Sequence, residues 1–397
     1  MTAVTATRPE VRAATRAVYT VFILLGFAGA SWAARIPQVR DELELTPSRL
    51  GLVLLAIAAG SVVSLPLAGQ VVSHFGSRRT VAVMAALLAV SLGGAAIGYR
   101  FGVAPLFVAL FFFGIANGSW DVAMNVQGAI VEGRLGRAIM PRFHAGFSVG
   151  TVAGALVGAA MVALHIGVTP HLLLSGVLVG VVVILAVRAF VPDGPPTDIE
   201  PSGGGGWRRT LATWREPRTL LIGVFVLAFA LTEGAGMDWI AVGMIDGYGV
   251  AAATGTLAFA LFLAAMTAGR WFGPGLLDRY GRVPVLRALA VISLAGLALF
   301  IFSPAVWPAY LGVLLWGLGA SLGFPVGMSA AADDPARAAP RVSVVASIGY
   351  LAFLGGPPVI GFIGDHATVL KALLVVAVLL VLGILLAGAV RPLEIEE

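Results

Sequence analysis

AFVPDGPPTDIEPSGGGGWRRTLATWREPR, residues 189–218, is the longest break in an otherwise apolar chain. Proline, glycine and charges of both signs crowd together here, so the stretch reads as a solvated linker. Everything around it is different. The 397 residues are 59% hydrophobic and 11% charged, with a mean hydropathy of +0.98. Soluble domains carry about a quarter charged residues, so a water-soluble fold is excluded.

On each side of the linker the chain falls into long runs without Asp, Glu, Lys or Arg: 17–34, 50–77, 80–99, 101–120, 247–269, 342–364 and 372–390. Two longer runs, 143–187 and 288–332, hold 45 such residues each. A helix needs about 20 apolar residues to cross a bilayer core. Each 45-residue run therefore reads as two helices, with turns at HIGVTPH (165–171) and SPAVWP (303–308). Barrel strands would alternate in polarity, and these runs do not. The expectation is twelve helices: 17–36, 50–74, 80–99, 104–131, 142–164, 170–190, 218–244, 252–276, 284–302, 307–330, 341–364 and 369–390. Residues 28–30 have the small-x-small look of a signal cleavage site, but the apolar run is long for one, so helix one is read as retained.

Arginine sets the orientation. With the N-terminus inside, only Arg35, Arg40, Arg49, Arg100 and Lys371 of the 25 Lys+Arg fall outside. Both termini are then expected in the cytoplasm, in the cell (inner) membrane. The net charge of +5 follows from that bias, with no basic patch suited to nucleic acid. The absence of Cys removes disulfides and thiol chemistry.

The two halves echo each other. SHFGS (73–77) matches DRYGR (278–282) at a shift of 205, and FFGIANG (112–118) matches LWGLGAS (315–321) at a shift of 203. A period of half the chain implies a duplicated six-helix unit: bundles at 1–190 and 218–397, joined by a linker at 191–217.

Two six-helix halves with DRYGR after helix eight resemble the major facilitator superfamily. Asp278, Arg279, Gly281 and Arg282 fit its loop signature G-x-x-x-D-R-x-G-R, with Pro274 in the place of the leading glycine. In the first half Gly69, Gly76, Arg78 and Arg79 fit, while Ser73 and His74 replace the acid and the first base. AMNVQ (123–127), RFHAGFSVG (142–150), EGAGMDW (233–239) and GGPPVIG (355–361) are similar to the YbjJ/MosC-like branch, related in pattern to fucose permeases. The resemblance implies an all-α membrane fold whose helices one, four, seven and ten line a central cavity. It also implies gating roles for Asp278, Arg279, Arg282, Arg78 and Arg79.

Helix four carries GIANGSWDVAMNVQGAIVE (114–132). At about 100° per residue, Asn117, Asp121, Asn125 and Glu132 share one stripe. A carboxylate facing lipid costs at least a few kcal/mol, so Asp121 reads as a substrate or proton site. Each Asn alone is equally compatible with interhelical packing. Glu132, beside Arg134 and Arg137, reads as a gate or surface ion pair, and His144, beside Arg142, as structural or gating.

Helix seven adds Glu233, about 22 Å in from Arg218. Asp238 lies about 140° around the helix from it, so both face one cavity only if Gly234 and Gly236 unwind the helix. Asp238 with Trp239, and Trp32 with Arg35, read first as interface residues. Gly146, Gly150, Gly154 and Gly158 in helix five read as a packing seam. An exporter-type reading of those glycines is opposed by Thr151 in place of a proline and by Leu110 where an arginine belongs.

No metal cluster, nucleotide loop or nucleophile–base pair is legible, so no catalytic residue, metal, cofactor or enzyme activity is expected. The favoured function is H⁺-coupled movement of a small polar, sugar- or polyol-like solute by alternating access, in a monomer bathed in lipid. Proton-antiport export of a drug or metabolite is the alternative, and a non-transporting scaffold or receptor the distant one.

Overall fold

The computed structural model describes residues 8–136, 139–193, 212–334 and 337–393. Most of the linker (194–211) and Arg137 lie outside the described residues. Among those described there is no strand, and twelve helices are long and apolar enough to cross a membrane. In order they are Pro9–Glu42, Pro47–Phe75, Ser77–Phe101, Val103–Leu135, Met140–Ala163, Val168–Ala189, Pro217–Tyr248, Ala252–Tyr280, Arg282–Phe302, Val306–Ala331, Pro340–His366 and Val369–Val390, here called helix one to helix twelve. The chain is an all-α, multi-pass membrane protein.

The twelve expected helices are all present, but many run longer than their apolar stretches. Helix one begins eight residues before the expected start and takes in Arg12 and Arg16. A helix satisfies its own backbone in water as well as in lipid, so a charge marks where the apolar core stops and not where the helix does. Past Ala33 helix one is interrupted, and a short helix, Ile36–Glu42, follows. Helix ten is broken too, into Val306–Ala320 and Gly323–Ala331.

The chain forms two compact units, Met1–Leu45 with Ala56–Asp198, and Thr46–Leu55 with Ile199–Glu397. In the first, helices one and five pack along a glycine seam. A Cβ at Gly150 would run into the carbonyl of Ile23, one at Gly154 into that of Phe27, and one at Gly158 into the side chain of Ala34. Van der Waals contact between backbones stands in for the hydrophobic drive that lipid cannot supply. Phe22, Phe143 and Trp120 fill the remaining interior of this unit. The second unit is centred on Trp316, whose indole N–H donates to the Thr232 carbonyl at 3.1 Å, with the Phe262 ring 5.5 Å away. Apolar side chains such as Val90, Phe272 and Val378 stay exposed within the membrane-length helices, which lipid, being itself apolar, permits.

The repeat in the sequence is also a repeat in the backbone. Gly76 has φ +80° and Gly281 φ +79°, a region that favours glycine. Each donates its N–H to a carbonyl four residues back, Val72 and Leu277, at 2.8 Å in both cases.

Candidate functional site

Helix four runs unbroken from Val103 to Leu135 and keeps its polar stripe on one face. Asp121 is half-buried. Asn125, one turn on, donates from Nδ2 to the Asp121 carbonyl at 2.8 Å and lies 3.3 Å from Asp121 Oδ1. Among the described residues Asp121 has no cationic partner, and the Asn117 side chain makes no hydrogen bond. Of the two asparagines flanking the acid, only Asn125 engages it. What remains is a carboxyl group with one donor, and one unoccupied polar side chain, Asn117, on the same helix face.

Glu132 does not form the expected ion pair among the described residues. Its Oε2 accepts the backbone N–H groups of Ile139 and Met140 at 2.6 and 2.7 Å. Helix five begins at Met140, so Glu132 satisfies N–H groups that the first turn leaves without partners. This is a capping contact at the start of helix five. His144 sits with its ring edge-on to Phe22 at 5.2 Å.

In the second unit, helix seven is continuous through Gly234 and Gly236, without the unwinding that would bring Glu233 and Asp238 to one cavity. Both glycines serve packing instead: the Phe353 ring occupies the space beside Gly234, and the Phe262 ring that beside Gly236. Glu233 and Asp238 therefore stay on different faces. Glu233 Oε2 pairs with Arg270 Nη2 at 2.8 Å, while Asp238 is half-buried with no partner among the described residues. Arg270, placed by its sequence position with the cytoplasmic cations, lies ten residues before the end of helix eight, about 15 Å along it. Its Nε also donates to the Ser321 carbonyl at 3.2 Å, at the break in helix ten. Gly269, beside it, brings helix eight against Ser321 with no room for a Cβ.

Asp278 and Arg279 are exposed, and Asp278 makes no ion pair among the described residues; Arg279 lies over the Tyr280 ring at 5.1 Å. Arg282 is engaged, with Nη1 2.8 Å from Asp333 Oδ1. Asp333 also meets Arg218 at 3.1 Å, and Arg218 donates to the Ala389 and Arg391 carbonyls. In the first unit Arg78 and Arg79 are exposed without ion pairs among the described residues, and an acid comes from farther along the chain. Asp193 accepts from the Ser77 backbone N–H and hydroxyl, and Gln127 lies 2.8 Å from that hydroxyl. Asp193 and Asp333 escaped the sequence reading because both lie outside the signature loop. An acid next to a helix end was the signal available.

At the opposite end of the first unit Arg35 is 1% exposed, far from the interfacial anchor expected of it. Its Nε donates to His171 Nδ1 at 2.8 Å and its Nη2 to the Ile166 carbonyl at 3.0 Å.

Comparison with known proteins gives a consistent result. Residues 17–350 match the family model of the Major Facilitator Superfamily. An uncharacterised MFS-type transporter of Yersinia pestis is 32% identical over 363 residues, 90% of this chain and 91% of that protein. The membrane protein MosC of Rhizobium meliloti is 29% identical over 388 residues, 96% and 91% of the two chains. Among solved structures, a variant of the nucleoside transporter NupG superposes with a TM-score of 0.80 at 14% identity, covering 95% and 98%. The E. coli fucose:proton symporter FucP does so at 0.65 and 17% identity, covering 94% and 97%.

Proposed function

The chain belongs to the major facilitator superfamily, and from that premise we propose that it moves a small polar, sugar- or polyol-like solute across the inner membrane by alternating access, coupled to H⁺, with both termini in the cytoplasm. The observation that carries this reading is Asp121: a half-buried carboxyl within a membrane span, hydrogen-bonded by Asn125 and lacking a cation among the described residues. An ionisable group in that position is expensive unless it is used, and a proton is the smallest ligand that removes its charge. Asn117 and Asn125 add the donors and acceptors that hydroxyl groups need. That NupG and FucP are named for a nucleoside and a sugar supports a polyhydroxylated solute.

The test is a paired measurement in one set of proteoliposomes. Asp121→Asn keeps the shape but cannot ionise. It is expected to abolish accumulation driven by a pH gradient while leaving counterflow at equal pH, which needs no net proton movement. Full accumulation by the variant would remove Asp121 from the coupling step.

A further inference from the structure

Among the described residues Arg35 is a cation without an anion. Both groups it bonds are neutral: the Ile166 carbonyl, and a His171 that accepts at Nδ1 and so carries its proton on Nε2. That Nε2 is itself buried without a partner among the described residues. A buried charge lacking a counter-ion costs several kcal/mol.

The surroundings suggest what is missing. Arg35 borders a cavity of about 280 Å³, together with Gln38, Glu42, Tyr99, Val162 and the turn 165–168. Gln38 follows Arg35 by three residues, on the short helix Ile36–Glu42, so the two lie on one face. Both amide atoms of Gln38 are buried with no hydrogen-bond partner among the described residues. The one acid on the cavity wall, Glu42, is exposed at the rim and does not pair with Arg35. Of the five guanidinium N–H groups, two are used. The interior wall thus offers unused donors and a positive charge, with no anion among the described residues to receive them.

We propose that this cavity binds a small oxyanion, a carboxylate or a phosphate, free in solution or as the headgroup of an anionic lipid, with Arg35 and the Gln38 amide as its donors. A guanidinium edge matches two oxygens of such a group, and the low local dielectric strengthens the bonds. The site is separate from the helix-four stripe and does not depend on how Asp121 works.

The experiment follows the unfolding midpoint of the full-length protein in neutral detergent, through its tryptophan fluorescence. Sodium phosphate or sodium formate is titrated at constant ionic strength against sodium chloride. The wild type is expected to show a saturable rise in midpoint. Gln38→Leu removes no internal hydrogen bond, so it should fold normally and shift half-saturation to at least fivefold higher anion. Arg35→Gln should lose the response, and if it does not fold the Gln38 variant still decides. A second arm compares nanodiscs of phosphatidylethanolamine with and without phosphatidylglycerol. Stabilisation by phosphatidylglycerol that is weakened in Gln38→Leu, with no response to free anions, identifies a lipid headgroup as the ligand. Absence of a saturable response in both arms, or a Gln38→Leu response equal to the wild type, overturns the proposal and leaves Arg35 as a clamp on the 165–168 turn.

Discussion

Arg270 Nη2 lies 2.8 Å from Glu233 Oε2, and this pair joins helix eight to helix seven within a membrane-spanning layer. The arginine also holds the Ser321 carbonyl, so one guanidinium serves both an acid and a broken helix. The side chains are 27% and 17% exposed, which tempers the strength of the pair without making it a surface contact.

Breaking the pair from either side should therefore destabilise the protein. Glu233→Gln and Arg270→Gln are each expected to cost toward or below the lower end of the about 3–5 kcal/mol typical of fully buried pairs. The double variant should lose less than the sum of the two, because each single change leaves a charge behind. Reversible unfolding in detergent measures this, and additive losses would show that the two side chains are not coupled.

Asp238 should behave in the opposite way. Nothing among the described residues bonds its carboxylate, so Asp238→Asn removes an unpaired charge from a membrane span. Stability in detergent is expected to hold or rise, with gradient-driven uptake retained. A clear loss of stability would show that the carboxylate has a partner after all.

Glu216, just before helix seven, gives a pH signature. Burial pushes its carboxyl up, but hydrogen bonds from Arg341 and Thr219 and the charges of Arg341 and Arg337 outweigh this, holding it below the usual glutamate range. A lowered carboxyl stabilises the fold above its unfolded value of about 4.3, and that contribution disappears as pH falls through the folded value. Glu216→Gln should accordingly be less stable than wild type at pH 7, and the gap should close on acidification below about pH 4. A gap that widens in acid would contradict the assignment.

Two glycines separate packing from propensity. At Gly150 a Cβ meets the Ile23 carbonyl, whereas at Gly133 it meets nothing within 4 Å. Gly150→Ala should cost about 1–3 kcal/mol through overpacking, and Gly133→Ala should be neutral or stabilising by up to about 1 kcal/mol. Thermal unfolding of the two variants side by side tests the seam.

Orientation is open to a direct test. Truncated fusions ending near Gly204 should be active only with a cytoplasmic reporter, and those ending near Gly167 only with a periplasmic one. The reverse pattern at either site would invert the topology proposed from the arginine bias.

The fold was largely legible in the chain because lipid leaves few options: an uncharged run of the right length must be a helix. The Asp121–Asn125 contact was legible for a similar reason, since residues four apart share a helix face. What escaped was long-range. Arg270 is 37 residues from Glu233 and sits near enough to the DRYGR loop to pass for one of the cytoplasmic cations. Glu132 has Arg134 as a sequence neighbour, yet its partners are amides seven and eight residues on, exposed only because helix five starts there. Arg35 looked like an interfacial anchor because nothing in the sequence announces that the 165–168 turn folds over it.

The break at Ser321–Leu322 carries a consequence for how this chain can diverge. Its freed carbonyl is held by Arg270, whose charge is balanced by Glu233, and Gly269 and Gly323 leave room for Ser321 and the Phe229 ring. None of these six positions can drift alone without stranding a charge, a carbonyl or an atom with no space. They should behave as one inherited character, retained or replaced together among descendants of this chain, so that a relative lacking the arginine would also lack the acid and carry an uninterrupted tenth helix.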